Sequence, residues 1–185
     1  MDNYKKIIRS KSGREITLRY PNIGDLDKVL EYINRISAED TFITFSGEVI
    51  TYNEEEKYLN GVLSNIAKGN SVVLYAFDGN KLIGIADVNR DLHGKKRTRH
   101  VGVFGITVAK EYRGDGIGEK LARSVIDEAH RKIEGLKMIL LNVYGPNSKA
   151  QKLYVKLGFK EYGRLEKGLW YREEYYDSIS MKLDL

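Results

Sequence analysis

The sequence predicts an α/β (α+β) domain in which helices flank a mixed, mostly antiparallel sheet, with a bulged central strand opening a V-shaped cleft. Three stretches carry that expectation. An apolar strand, Val101–Val108, runs through a glycine-rich loop into a helix whose residues Leu121, Ala122, Val125, Ile126, Ala129 and Ile133 repeat at helical spacing. The near-continuous apolar run Met138–Val143 then reads as a parallel strand covered on both faces, so strand, helix and strand form one right-handed βαβ unit. Earlier, Ser71–Phe77 and Lys81–Asn89 are strands joined by Asp78-Gly79-Asn80, a strong hairpin signal.

The remaining elements follow from local pattern. Residues 1–13 are polar and basic and are expected as a loose arm, which leaves 14–185 as a single domain. Glu15–Arg19 alternates as a short strand and ends at Tyr20-Pro21. Asp25 suits the N-cap of a helix carrying Leu26, Val29, Leu30 and Ile33 on one stripe. Ala38–Thr51 has no clean period, and a helix over 53–67 follows with Tyr58, Leu59, Val62, Leu63 and Ile66 inward. Asn147 caps a short helix with Ala150, Leu153, Tyr154 and Leu157 on one stripe, and Gly158 closes it. Phe159–Leu165 and about Tyr171–Leu183 make a final antiparallel pair.

At 185 residues the chain is large enough to bury roughly 70% of its unfolded surface without a disulfide or metal staple. It has no cysteine, which excludes a disulfide framework, a cysteine nucleophile and a thiolate metal site; with three scattered histidines, no metal centre is expected. No signal-peptide pattern and no long apolar run occur, so a soluble, cytoplasmic protein without a membrane partner is expected. The net charge of +5 favours an anionic cofactor but does not itself indicate nucleic-acid binding.

The organising stretch is Val101 to Gly118. Val101 and Val103 share one parity, Ile106 and Val108 the other, which predicts a β-bulge at about Gly105. Such a bulge frees backbone groups that an extended, amide-bearing ligand could pair with. In the loop Arg113-Gly114-Asp115-Gly116-Ile117-Gly118, three glycines let backbone N–H groups approach a ligand closely, and the helix that follows adds its unpaired N–H groups and dipole. The junction suits a di-anion such as pyrophosphate. The spacing is not the G-x-G-x-x-G of dinucleotide folds, and no Gly-Lys-Ser/Thr of a P-loop occurs.

Arg113-x-x-Gly116-x-Gly118 resembles the acyl-CoA pyrophosphate loop of the GNAT N-acetyltransferase superfamily. The stretch from Asn147 to Phe159, with Ala150, Leu153, Tyr154 and Gly158 at the matching positions, looks like the family's second hallmark, Asn-x-x-Ala-x-x-Leu-Tyr-x-x-x-Gly-Phe. The resemblance reaches more weakly from about Glu15 to Leu185, where Tyr175-Tyr176-Asp177 is similar to the family's last strand. The helix and loop before the second strand are loosely similar to the phosphinothricin-type and ribosomal-protein-type branches.

The resemblance implies an acetyl-CoA-dependent N-acetyltransferase acting on a primary amine, whether a small molecule, a protein N-terminus or a lysine, by direct attack through a tetrahedral intermediate. It makes Tyr154 the acid near the thioester sulfur and assigns cofactor binding to Ile106, Thr107, Val108, Arg113, Gly114, Asp115, Gly116, Ile117, Gly118, Asn147 and Tyr154. Many relatives carry a glutamate base where this chain has Val103; Asp87, His100, Glu48 or a water chain could substitute, or the amine could arrive already neutral. Thr41, Phe42, Thr44, Phe45 and Glu48 are candidate pocket residues. Two other readings stand beside the enzyme: a non-catalytic acyl-CoA sensor, and a nucleic-acid binder using Lys95-Lys96-Arg97-Thr98-Arg99, a loop read chiefly as a solvated hairpin turn. A homodimer is left open.

Overall fold

The structure, a computed structural model, describes residues 4–39, 42, 47–91 and 95–185. Its strands are β1 (Lys5–Arg9), β2 (Glu15–Arg19), β3 (Ser71–Asp78), β4 (Lys81–Arg90), β5 (Val101–Val108), β6 (Met138–Tyr144), β7 (Lys160–Tyr171) and β8 (Glu174–Asp184). Its helices are α1 (Leu26–Ser37), α2 (Tyr52–Ala67), α3 (Ile117–Lys132) and α4 (Ser148–Leu157). The strands form one sheet in the order β1-β2-β3-β4-β5-β6-β8-β7. The β5–β6 pair is parallel, whereas β1–β2, β2–β3, β6–β8 and β7–β8 are antiparallel, so the expected mixed sheet is present. The chain divides into two compact units, Met1–Val88 with Gly105–Glu134 and Asn89–Phe104 with Gly135–Leu185.

In the first unit, the expected loose arm is corrected. Lys5–Arg9 pairs antiparallel with β2, from Lys5↔Arg19 to Arg9↔Glu15, with only Ile8 of its residues buried. A short edge strand of mostly charged residues lacks the apolar alternation by which strands are recognised. Asp25 stands at the N-cap position of α1 as expected, but its side chain makes no capping bond to that helix. Asn22 caps a single 3₁₀ turn, Ile23–Asp25, while the Asp25 carboxylate accepts two bonds from the Arg19 guanidinium at 2.6 and 2.7 Å and one from the Asn22 N–H at 2.9 Å.

The buried stripe of α1 is Leu26, Val29, Tyr32 and Ile36, in which Tyr32 takes the inward place expected of Ile33. Thr51 and Glu54 form a capping box at the start of α2. Leu59 and Glu55 are the buried residues of that helix, and Tyr58, expected inward, keeps 64% of its surface exposed. β3 is buried from Ser71 to Phe77, and α3 buries Leu121, Ala122, Val125, Ile126 and Ala129 as its spacing requires.

In the second unit, β6 pairs with β8 from Met138↔Asp184 to Tyr144↔Ser178. The β7–β8 hairpin is longer than expected because it turns at Arg172-Glu173, both with positive φ (50° and 65°), a turn made without glycine or asparagine. The pairing shifts register between Leu165 and Leu169, where Lys167 also has positive φ.

Candidate active site

The glycine loop forms the end of the first unit's strand-to-helix passage. Gly114 and Gly116 have φ of 81° and 78°, left-handed values that a side chain would strain, and Gly116 stands at the N-cap of α3. Gly116 has no side chain to cap α3, and no side-chain cap bond closes the start of this helix among the described residues. The donors, the helix dipole and the absence of Cβ atoms fit a pyrophosphate-bearing group at this junction. Gly118 is less constrained: a Cβ there would meet only Val108 Cγ2, at an ordinary 3.6 Å.

The loop is held from the β1–β2 turn, a support that sequence reasoning missed. Lys11 N–H donates to the Asp115 carbonyl at 2.9 Å. Ser12 donates its N–H to Asp115 Oδ1 at 2.7 Å and its hydroxyl to Oδ2 at 2.6 Å. The hydroxyls of Ser12 and then Ser10 hold the Asp115 carboxyl below its ordinary pKa. Lys11 lays its aliphatic stem over Gly116, with Cγ 3.3 Å and Cε 3.5 Å from where a Cβ would stand. Nothing local in the sequence links residues about a hundred positions apart; only the pairing of residues 5–9 with β2 would have brought Lys11 to the loop.

Arg113, expected on the phosphates, has its guanidinium engaged: Nε donates to the Val108 carbonyl at 2.7 Å and Nη2 pairs with the Glu39 carboxylate. Glu39 also accepts from Lys110 N–H at 3.2 Å, so it braces both ends of the turn before the loop. Thr107 accepts a hydrogen bond from the Tyr32 hydroxyl at 2.9 Å.

The edge of β5 follows from its hydrogen-bond phase. Ala109 N–H donates to the Ile83 carbonyl of β4 at 2.9 Å, so odd-numbered residues of β5 face β4 and the N–H groups of Ile106 and Val108 point to the other edge. Asp91 N–H donates to the Val101 carbonyl at 2.9 Å, and between these two bonds each strand advances eight residues. The β4 side of β5 thus gains no net residue near Gly105, where an extra one was expected. The parallel ladder with β6 is registered over Val101–Val103 and Met138–Leu140, while β6 keeps its β8 partners through Tyr144.

The second unit carries Tyr154 and Asn147. Asn147 Oδ1 accepts from Ala150 N–H at 3.2 Å, the expected cap of α4, and Gly158 closes the helix at φ 98°. Gln151 Nε2 donates to the Tyr144 and Gly145 carbonyls at 3.2 and 2.7 Å, fixing the turn that presents α4. Tyr154 packs edge-on against Phe104 at 6.0 Å and beside Phe159 at 6.0 Å. Burial pushes its phenol up to about 12, and its hydroxyl has no hydrogen-bond partner among the described residues.

Among the candidate bases, His100 and Glu48 are exposed, whereas Asp87 is partly buried. Burial pushes the Asp87 carboxyl up to about 6. Its Oδ1 lies 2.8 Å from the place a Gly105 Cβ would occupy, so the two residues face each other across β4 and β5. Phe42 is partly buried; Thr41, Thr44 and Phe45 lie outside the described residues. In the basic segment, Lys95–Thr98 is a single 3₁₀ turn with Lys96, Arg97 and Arg99 exposed. No group of three or more acidic or histidine side chains able to hold a metal occurs among the described residues.

A strand, a glycine nest and a helix, followed by an Asn-capped helix bearing Tyr154, are the parts of a GNAT-type fold. The chain belongs to the Acetyltransferase (GNAT) family, whose model matches residues 31–159. It superposes with a TM-score of 0.83 on a GNAT-family acetyltransferase from Streptococcus pneumoniae, at 30% identity, covering 92% of this chain and 100% of the other. A phosphinothricin acetyltransferase from Sinorhizobium meliloti, solved with acetyl-CoA, superposes with a TM-score of 0.77 over 92% of this chain and 88% of its own; at 22% identity, that likeness concerns the fold alone. N-alpha-acetyltransferase 30 of Schizosaccharomyces pombe is 33% identical over 90 residues, which span 49% of this chain and 58% of the yeast protein.

Proposed function

We propose that this protein transfers an acetyl group from acetyl-CoA to a primary amine. The observation that carries the reading is the uncapped start of α3 behind Gly114 and Gly116, a ready nest for the donor's pyrophosphate, within a chain of the acetyltransferase family. Acetyl-CoA supplies an activated acyl group, and the chain's own groups bind, orient and move protons.

Gly114 to Gly118 would hold the pyrophosphate through backbone N–H groups, with Lys11 adding positive charge from the side of Gly116. Arg113 would act on the loop through Glu39 and Val108, shaping it more than touching phosphate. The outward N–H groups of Ile106 and Val108 would pair with the amides of the pantetheine arm and polarise the thioester carbonyl. The free amide donors of Asn147 would meet the arm from α4.

Tyr154 would protonate the departing thiolate. Its raised pKa keeps the phenol a proton donor at neutral pH, and a thiolate taken out of water shifts upward for the same reason, so donor and leaving group stay matched. An aromatic setting of Phe104 and Phe159 keeps water from competing for that proton.

Small amines and protein N-termini are both acceptors within this reading. The absence of cysteine and of any helix long and apolar enough to cross a membrane among the described residues accords with the cytoplasmic placement we favour. The test is calorimetric titration with acetyl-CoA followed by thiol release over a panel of amines and N-terminal peptides. Binding with release is expected. Binding without release for any acceptor would leave an acyl-CoA-binding module, and no binding would overturn the reading.

A further inference from the structure

Resting on that reading, we propose that Asp87 of β4 takes the proton from the acceptor amine and that Glu55 of α2, which shares Tyr58 with it as a neighbour, makes the acceptor site selective for cationic amines.

On β5 itself Val103 is apolar and 47% exposed and offers no carboxylate. The neighbouring strand supplies one instead. Asp87 stands across from Gly105, the residue before Ile106, and its Oδ1 fills the volume that any side chain at residue 105 would need, the would-be Cβ lying only 2.8 Å away. A side chain at 105 would displace the carboxylate of Asp87 from this position. Asp87 is flanked on β4 by Ala86 and Val88, both fully buried. Removal from water brings its proton affinity close to neutral pH, where a general base is most effective.

Tyr58 of α2 lies within electrostatic reach of both Asp87 and Glu55, and Tyr75 of β3 within reach of Glu55 and Tyr58. Tyr58 has its phenol held above the ordinary value, by the surrounding protein first and then by the carboxylates of Asp87 and Glu55. The Tyr75 phenol is raised by burial and then by Glu55 and Tyr58, with Asp25 adding to and Arg19 opposing the shift. From β5, Gly105 brings no charge.

Glu55 is 4% exposed, and its side chain makes no hydrogen bond or ion pair among the described residues. Burial alone pushes its carboxyl up. A buried carboxylate without a partner is costly to the fold, which a site that receives a cation explains. Two carboxylates that both act on Tyr58 favour an ammonium electrostatically, the exposed ring adding cation–π attraction, and disfavour an acceptor with its own carboxylate near the amine.

The proton balance is complete. An R–NH₃⁺ acceptor gives one proton to Asp87, which returns it to solvent. The freed nitrogen lone pair forms the C–N bond as the C–S bond breaks, and the second nitrogen proton leaves as the amide forms, offsetting the proton the thiolate takes up.

The test uses the full chain with Asp87→Asn, Asp87→Glu and Glu55→Gln, after calorimetry has verified acetyl-CoA affinity in each. Acetylation of 1,4-diaminobutane and of a free α-amino acid is followed from about pH 6 to pH 10. We expect Asp87→Asn to lower kcat/KM at pH 7 by about 100-fold, with a rate that then climbs with pH as free amine accumulates. Asp87→Glu, keeping a carboxylate, retains the parent's profile at a reduced rate and serves if the asparagine variant fails to fold. Glu55→Gln raises KM for the diamine about tenfold at little cost to kcat, the size expected for one charge-assisted contact. A parent-like pH profile in Asp87→Asn overturns the base assignment while leaving acetyl transfer standing. An α-amino acid used as well as the diamine overturns the cationic selectivity. A parent that binds acetyl-CoA and acetylates no amine removes the reading beneath both.

Discussion

Ser12 holds both carboxylate oxygens of Asp115, one by its backbone N–H at 2.7 Å and the other by its hydroxyl at 2.6 Å. An acidic side chain in a loop suited to an anion is thereby kept engaged by the β1–β2 turn. Ser12→Ala removes the hydroxyl bond and loosens the loop, and should weaken acetyl-CoA binding about fivefold, as one modest hydrogen bond would. Calorimetry reads this directly; an unchanged affinity would mean that the loop keeps its shape without the serine.

Gly116 has φ 78° at the start of α3, under the stem of Lys11. Gly116→Glu adds bulk and negative charge at the nest, and its expected outcome is loss of detectable acetyl-CoA binding with the fold retained by circular dichroism. Retained affinity would move the phosphate site elsewhere.

Tyr154→Phe keeps the ring that packs on Phe104 and Phe159 and removes a hydroxyl that has no hydrogen-bond partner among the described residues. Turnover should fall about 100-fold while acetyl-CoA affinity stays within twofold, since a general acid acts in the transition state and not in ground-state binding. Full turnover in steady-state assays would remove the acid role.

Asp25 and Asp87 should give opposite pH dependences of stability. For Asp25, burial acts to raise the pKa but the hydrogen bonds from Arg19 and Asn22 outweigh it, leaving the carboxyl below its ordinary value. Its stabilisation is therefore complete above the unfolded-state value and is lost as pH falls through the lower folded-state one. Asp25→Ala should cost about 2 kcal/mol at pH 7, below the usual figure for a broken buried pair because Arg19 can reach water. Urea unfolding at pH 7 and near pH 3 should show the difference narrowing in acid.

Asp87, raised to about 6, favours the fold below its unfolded-state value and loses that contribution as pH rises through about 6. Asp87→Asn should consequently raise Tm at pH 7 by a few degrees, with the gain vanishing near pH 4. A lower Tm at pH 7 would show that the carboxylate serves the fold.

Much of the candidate site was legible because its pattern is local. The loop from Arg113 to Gly118 and the helix from Asn147 to Gly158 each declare themselves by glycines, a cap and a helical stripe within a dozen residues. What was hidden depended on distant partners. β1 buries only Ile8, so it has no periodicity to read, and the role of Asp25 required Arg19 to arrive from β2. Tyr32 lies outside the stripe predicted for α1, since nothing local in the sequence shows that its hydroxyl reaches Thr107 on β5. Glu55 is one of three consecutive glutamates, and only the packing of α2 sets it apart.

The bond between Lys11 and Asp115 also bears on the order in which the protein is made. The β1–β2 turn leaves the ribosome early, but the loop it braces emerges about a hundred residues later, so the early segment must wait for its partner. At typical elongation rates of about 5–20 residues per second, that wait lasts several seconds. A closure between such remote segments belongs to the late, slow part of folding. Nascent chains stalled before α3 would thus lack an anchored turn, and protease cleavage near residues 10–13 should distinguish them from the finished protein.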